Sequence, residues 1–241
     1  VGAALSAGGL RSLLLDPLTE ETARSFSLRN STLKQVCISV TNSMPIITAV
    51  DTAAAVAAGS VPEVSFRCPR RPAFALLAGV TGARNIRSLS MCVYSFPRDV
   101  PFSSPEIVGL ALRNTRCLVS FTFTAGHCLV HDSLKPVFDA ARAHPSLEDL
   151  SVRLGARGLG FGALRSLQMI VKRNPRIRSV TVRDCQQLDP AGAVLLRETL
   201  LRRKWPLSVR LYLCKNLTGE EAAQAQLRDE KRGLSMVFSR G

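Results

Sequence analysis

Apolar residues return along this chain in a six-position phrase, apolar-x-x-apolar-x-apolar, about every thirty residues. It reads Leu10/Leu13/Leu15, Leu33/Val36/Ile38, Val61/Val64/Phe66, Ile86/Leu89/Met91, Leu118/Phe121/Phe123, Leu147/Leu150/Val152, Ile177/Val180/Val182 and, displaced slightly, Ser208/Leu211/Leu213. The alternation that closes each phrase is the period of a strand with one buried face. Between phrases the apolar residues move to helical spacing. Phe161 to Lys172 carries Leu164, Leu167, Met169, Ile170 and Val171 as a stripe, Ala191 to Arg202 follows Asp189 as cap and Pro190 in the first turn, and Ser133 to Ala143 follows Asp132 as cap. A unit of this size cannot bury its own apolar face and must lean on its neighbours. The pattern therefore predicts an α/β class fold, a right-handed solenoid of about eight units that spans residues 1–241 as one domain.

Three places interrupt the repeat. Phe96 to Pro105, with Pro97, Pro101 and Pro105, reads as an inserted loop. Val1 to Gly9 reads as the end of an earlier helix, and with no initiating methionine the sequence is expected to be a piece of something longer or a processed product. The polar run from Gly219 to Arg232 predicts a helix with a wet outer face, and residues 219–241 a C-terminal cap.

The phrase Ile177-x-x-Val180-x-Val182-x-x-Cys185-x-x-Leu188, followed by Gly192, Leu195 and Leu196, resembles the leucine-rich repeat family in its long, ribonuclease-inhibitor-like form. Ser208-x-x-Leu211-x-Leu213-x-x-Asn216-Leu217-Thr218 and the junctions Asn30-Ser31-Thr32-Leu33, His144-Pro145-Ser146-Leu147 and Asn174-Pro175-Arg176-Ile177 carry the same resemblance. It implies a horseshoe with a parallel sheet on the concave face and helices on the convex one. It also implies that the Cys or Asn at the ninth position bonds the turn backbone between coils. The other units depart from this, with Leu18, Thr41, Pro69, Tyr94, Gly126 and Gly155 at that position.

Composition narrows the partner. With 46% hydrophobic residues the chain is too apolar to be disordered, and no apolar run is long enough for a membrane span, so no membrane is expected. Lys and Arg total 32 against 18 Asp and Glu, a formal charge of +14, and arginine supplies 26 of the 32. Such a field favours acidic or polyanionic partners. The seven cysteines have no paired spacing, which points to an intracellular reducing compartment: cytoplasm, nucleus or organelle matrix. The triplets Asn30-Ser31-Thr32 and Asn216-Leu217-Thr218 fit glycosylation sites but stand alone as secretory signals.

Candidate chemistry is sparse. His127-Cys128-x-x-His131-Asp132 offers metal-type ligands without a second cluster, and Asp132 is better read as a helix cap. Gly158-Leu159-Gly160-Phe161-Gly162 imitates a dinucleotide fingerprint with Asp184 downstream, but every unit shares that strand-turn-helix grammar without the glycines. The three histidines, His127, His131 and His144, lack acid partners, and Glu148 and Asp149 are adjacent in a strand. No cofactor, metal, small-molecule substrate or enzymatic activity is expected.

Two surfaces remain. The outward strand positions include Lys34, Gln35, Arg87, Thr122, Glu148, Ser151, Arg178, Thr181, Arg210 and Tyr212, mixed polar groups on a rigid scaffold. Basic residues just before the strands, Arg29, Arg84, Arg113, Arg142, Lys172, Arg173, Arg203 and Lys204, predict a cationic rail along one rim, although such residues also suit helix C-termini. The expected function is a non-catalytic protein-protein interaction scaffold whose partner is a protein with an acidic surface. The alternative is a subunit of a ribonucleoprotein particle, in an organelle or elsewhere, whose rail lies on RNA phosphates. Aromatic residues are only 5% of the chain, which disfavours base stacking.

Overall fold

The protein is described by a computed structural model covering residues 11–24, 32–94, 105–126, 133–154 and 159–239. Strands β1 (Ser12–Leu18), β2 (Gln35–Val40), β3 (Glu63–Pro69), β4 (Ser88–Tyr94), β5 (Ser120–Ala125), β6 (Asp149–Leu154), β7 (Ser179–Arg183), β8 (Leu207–Tyr212), β9 (Leu227–Asp229) and β10 (Leu234–Ser239) form one open sheet in the order β1-β2-β3-β4-β5-β6-β7-β8-β10-β9. Every pairing is parallel except β9 with β10.

Helices alternate with the strands: α1 (Glu20–Arg24), α2 (Ile46–Ala58), α3 (Arg70–Val80), α4 (Pro105–Asn114), α5 (Lys135–Arg142), α6 (Phe161–Arg173), α7 (Pro190–Leu201) and α8 (Gly219–Ala225). Each touches the next in sequence, so they form one layer on one face of the sheet. The other face of the sheet carries no helix among the described residues.

Register explains why the phrase recurs. Ile38, Phe66, Met91, Phe123, Val152, Val182, Leu211 and Phe238 are successive ladder partners, and Val36, Val64, Leu89, Phe121, Leu150, Val180, Val209 and Met236 form a second inward ladder. All are buried, and the Phe121 and Phe123 rings lie 6.5 Å apart. Each strand fills the step left by its neighbour, so removing water from one unit requires the next.

The eighth unit differs from expectation. Val209 pairs with Val180 and Leu211 with Val182, so its phrase is Pro206/Val209/Leu211, two residues before the sequence reading. The ninth position is therefore the buried Cys214, matching Cys185, whereas Asn216 is exposed. The residues just before these cysteines, Asp184 and Leu213, both adopt the left-handed conformation, φ 63° and 59°. Elsewhere the ninth position is served differently: the Tyr94 hydroxyl donates to Val40 O at 2.8 Å.

Helix starts follow local chemistry. Asp189 Oδ1 accepts from the Gly192 N–H at 2.7 Å, with Pro190 in the first turn, and Thr218 and Glu221 form a reciprocal capping box. The helix expected over Gly219 to Arg232 stops at Ala225; the chain then enters β9 and turns back into β10. The caps and loops expected at Asp132 and Phe96–Ser104, and the segment Val1–Gly9, lie outside the described residues.

Candidate interaction surface

The face of the sheet turned away from the helices is paved with short hydroxyl side chains. In one ladder Ser65, Ser90, Thr122, Ser151 and Thr181 are successive partners and lead to Arg210. In the ladder before it, Ser88, Ser120, Asp149, Ser179, Ser208 and Ser235 follow one another, and the Ser235 hydroxyl lies 2.9 Å from that of Ser208. Strands about 4.8 Å apart carry these groups in straight rows, so the floor is flat, polar and short-chained.

Charge flanks this floor on both sides. At the strand entrances the backbone ladder continues through Lys34, Pro62, Arg87, Val119, Glu148, Arg178 and on to Ser208, each carbonyl accepting from the next unit. Lys34, Arg87 and Arg178 are exposed there, and Arg178 meets Glu148 at 3.7 Å. At the strand exits Arg67, Cys92, Thr124, Arg153 and Arg183 form a third row. Arg153 is bound to the buried Asp184 at 2.6 Å, and the Arg183 guanidinium lies 5.4 Å from the Tyr212 ring centre. Arg67, Arg87 and Arg210 make no ion pair among the described residues.

All ten expected face residues are outward. Thr122, Ser151, Thr181 and Arg210 share one ladder, Gln35 sits in the row with Glu63 and Ser88, and Glu148 and Asp149 both face out. Sequence reading missed Arg67, Arg153 and Arg183, because the six-position phrase ends one residue before them. Continuing the two-residue strand period by one step would have found them.

The expected rail is not a straight line. Arg113, Arg142 and Lys172 stand five residues before the first apolar residue of their phrases, Arg173 four, Arg84 two, and Arg203 three before Pro206. Arg84, Arg113, Arg142, Lys172, Arg173 and Lys204 are exposed, and Arg113, Arg142, Lys172 and Arg173 occupy last helical turns, where a cation complements the helix dipole. Arg29 lies outside the described residues.

Arg203 corrects the expectation outright, being only 3% exposed. Its guanidinium donates to Val171 O at 2.6 Å, Ile177 O at 2.7 Å, Asn174 O at 2.9 Å and Ile170 O at 3.4 Å, and its Nε to Trp205 O at 3.0 Å. Burial draws its pKa down to about 10, so it stays charged at neutral pH.

The same position in preceding units holds Asn174, His144 and Thr115. Asn174 Nδ2 donates to Ala141 O at 2.8 Å, and the Thr115 hydroxyl donates to Ala111 O at 2.9 Å and reaches Val80 O at 3.5 Å. His144 Nε2 lies 3.1 Å from Thr115 O, while its Nδ1 accepts from the Leu147 N–H at 3.1 Å. Those partners fit the neutral ring with its proton on Nε2, and burial lowers its pKa further from protonation. These side chains form a buried polar spine that ties helix ends together.

The remaining candidates resolve locally. Asp184 belongs to the Arg153 ion pair, and Gly160 is the N-cap of α6. His127, Cys128, His131, Asp132 and Gly158 lie outside the described residues. Among the described residues no group of three or more His, Cys, Asp or Glu side chains could hold a metal ion, and no helix is long and apolar enough to cross a membrane. Cys68, Cys185 and Cys214 are buried free thiols; burial raises Cys68 to about 12 and moves Cys185 up as well. No protein-family model matches the chain, and no curated protein matches it.

Proposed function

We propose that the chain is a leucine-rich repeat module of the ribonuclease-inhibitor-like type, acting without catalysis to bind an acidic segment of another protein across its open sheet face. The repeat assignment rests on the unbroken order of parallel strands from β1 to β8, a helix in each unit, and Cys185 and Cys214 at matching turn positions. The functional reading rests on one observation: a flat hydroxyl floor bordered by cations at both strand ends, with Arg87 at the entrances, Arg67 at the exits and Arg210 closing the central ladder, none of the three making an ion pair among the described residues. Hydroxyls can donate to carboxylates and accept from backbone amides, while the flanking guanidiniums supply bidentate donors. A floor already fixed by the sheet loses little side-chain freedom on binding.

A second reading is supported by the exposed Arg113, Arg142, Lys172, Arg173 and Lys204 near the helix ends: contact with RNA phosphates in a ribonucleoprotein particle. One experiment separates the two. Fluorescent oligoglutamate and oligouridylate are titrated against the wild type, against Arg67→Glu/Arg87→Glu/Arg210→Glu, and against Arg113→Glu/Arg142→Glu/Lys172→Glu, over a range of salt. The protein-binding reading expects oligoglutamate affinity to fall about tenfold or more only in the first variant. Tighter oligouridylate binding with a steep salt slope, lost only in the second variant, would replace it with the RNA reading.

A further inference from the structure

The helix layer is not evenly closed. Gly79 of α3 sits where an added Cβ would lie 2.6 Å from Ala53 Cβ and 2.9 Å from Val50 O, so α2 and α3 pack backbone to backbone. Gly109 of α4 stands in the same relation to Pro136, 2.6 Å from its carbonyl oxygen, so α4 packs closely on α5. Between α3 and α4 there is no such contact, and they touch far less. The spacing of α6 and α7 is also wide, but there Leu164 reaches to 2.7 Å from the Cβ position of Gly192 and fills it.

Among the described residues this seam opens as a cleft of about 1050 Å3. Its floor is the outer stripe of α3, with Phe74, Ala75 and Ala78, and its walls are α2 and α4, through Ile46, Val50 and Leu110. Ile46 is 46% exposed and Leu110 53%, where a solvated helix would present charge. Among the described residues no carboxylate lines the cleft; Arg70 and Arg71 stand at the end where α3 begins, and that end also receives the positive pole of the helix.

We infer that this cleft is a second binding site, taking an acidic amphipathic α-helix of a partner protein. The walls and floor are helices whose backbone groups are bonded internally, so no edge is offered to an extended peptide, and an occupant must satisfy its own backbone. The floor runs for about 16 Å, roughly three turns, and the short Ala75 and Ala78 side chains permit the close approach that ridge-in-groove packing needs. Arg71, exposed at the mouth, fits Asp or Glu at the C-terminal end of a helix lying antiparallel to α3, or in the first turn of one lying parallel. The site lies on the opposite side of the molecule from the open sheet face and stands independently of the function proposed above.

The test is a selection from a displayed library of helical peptides about sixteen residues long on the wild-type chain, with the enriched peptides then titrated against each variant. The expected winners carry apolar residues at i, i+3, i+4 and i+7 and a terminal Asp or Glu. They should bind Leu110→Asp and Ala78→Glu about tenfold or more weakly, bind Arg71→Glu several-fold more weakly, and be indifferent to Leu195→Asp on the exposed face of α7. Failure to enrich, winners with a basic stripe, or equal binding to Leu110→Asp would overturn the proposal. So would a wild-type dimer dissociated by Leu110→Asp, which would make a second copy the occupant. Enrichment only after residues 96–104 are replaced by a Gly-Ser linker would assign the cleft to this chain's own segment.

Discussion

The early and late units solve the same joining problem in different ways. In the late units a buried polar side chain, Thr115, His144, Asn174 or Arg203, reaches back to carbonyls in the preceding unit. The matching early position is Ala83, and there Asn85 donates to Gly59 O from a neighbouring site instead. The outer helix faces divide less sharply: α5 and α6 present Lys135, Arg142, Arg165, Lys172 and Arg173 with Phe161 at the start of α6, while α2 and α3 present Ile46, Ile47, Val50 and Ala78 beside Asp51 and Arg71. The α2–α3 joint relies on small residues and close backbones, whereas the joints from Thr115 onward add side-chain hydrogen bonds, even where Gly109 brings α4 close to α5. Successive strand-helix units can therefore share a sheet register without sharing what holds their helices.

The largest expected break in that comparison is Arg203→Met. It leaves Val171 O, Ile177 O and their neighbours without this donor, and equilibrium urea unfolding should show a loss of about 3 kcal/mol, as expected for several buried acceptors left unsatisfied. Arg142→Met, at an exposed helix end, should change stability by less than about 0.5 kcal/mol. Equal effects would mean that the buried spine is no stronger a joint than the surface.

Gly79→Val tests the early device. The new side chain must displace Ala53 or the Val50 carbonyl, and thermal unfolding should report a loss of about 2 kcal/mol, set against the helix-propensity gain of removing a glycine. An unchanged melting temperature would show that α2 and α3 can part freely.

Acid should find the late units first. The folded His144 ring holds a proton less readily than the unfolded chain, whose value is near 6.5, so the unfolded state takes up more protons as pH falls below that value and stability drops. His144→Asn, which copies the side chain that Asn174 uses one unit later, should lose this component, so that the stability difference between wild type and variant narrows or reverses from pH 7 to pH 5. A difference that stays constant over that range would contradict a neutral, buried ring.

The smallest effect concerns the turn shared by Asp184 and Leu213. Asparagine tolerates the left-handed conformation better than leucine, so Leu213→Asn should gain about 0.5–1 kcal/mol in urea unfolding, while a loss would show that the half-buried Leu213 side chain matters more than its backbone.

The layered α/β stack was legible because its inward ladders are the phrase itself, as in Phe66, Met91 and Phe123. The eighth unit was misread because Leu207, Val209, Leu211 and Leu213 alternate throughout, so a two-residue period fits two registers, and Pro206 stands where an aliphatic residue marks the start elsewhere. Outward residues such as Thr122 and Arg178 followed directly from alternation. The fate of Arg203 could not, since its partner carbonyls other than that of Trp205 lie 26 to 33 residues away on a neighbouring unit. The cleft was equally hidden, being defined by which glycines meet which helices.

The glycine contacts also give the stack a grain. On the sheet side each strand is hydrogen-bonded to the next without a gap from β1 to β8, but on the helix side α2 and α3 are locked together and so are α4 and α5, with a slack seam between. A layer that is continuous on one side and segmented on the other bends like a bound book along its spine. The line between β3 and β4 is one of the places where a change of curvature would disturb the fewest helix contacts.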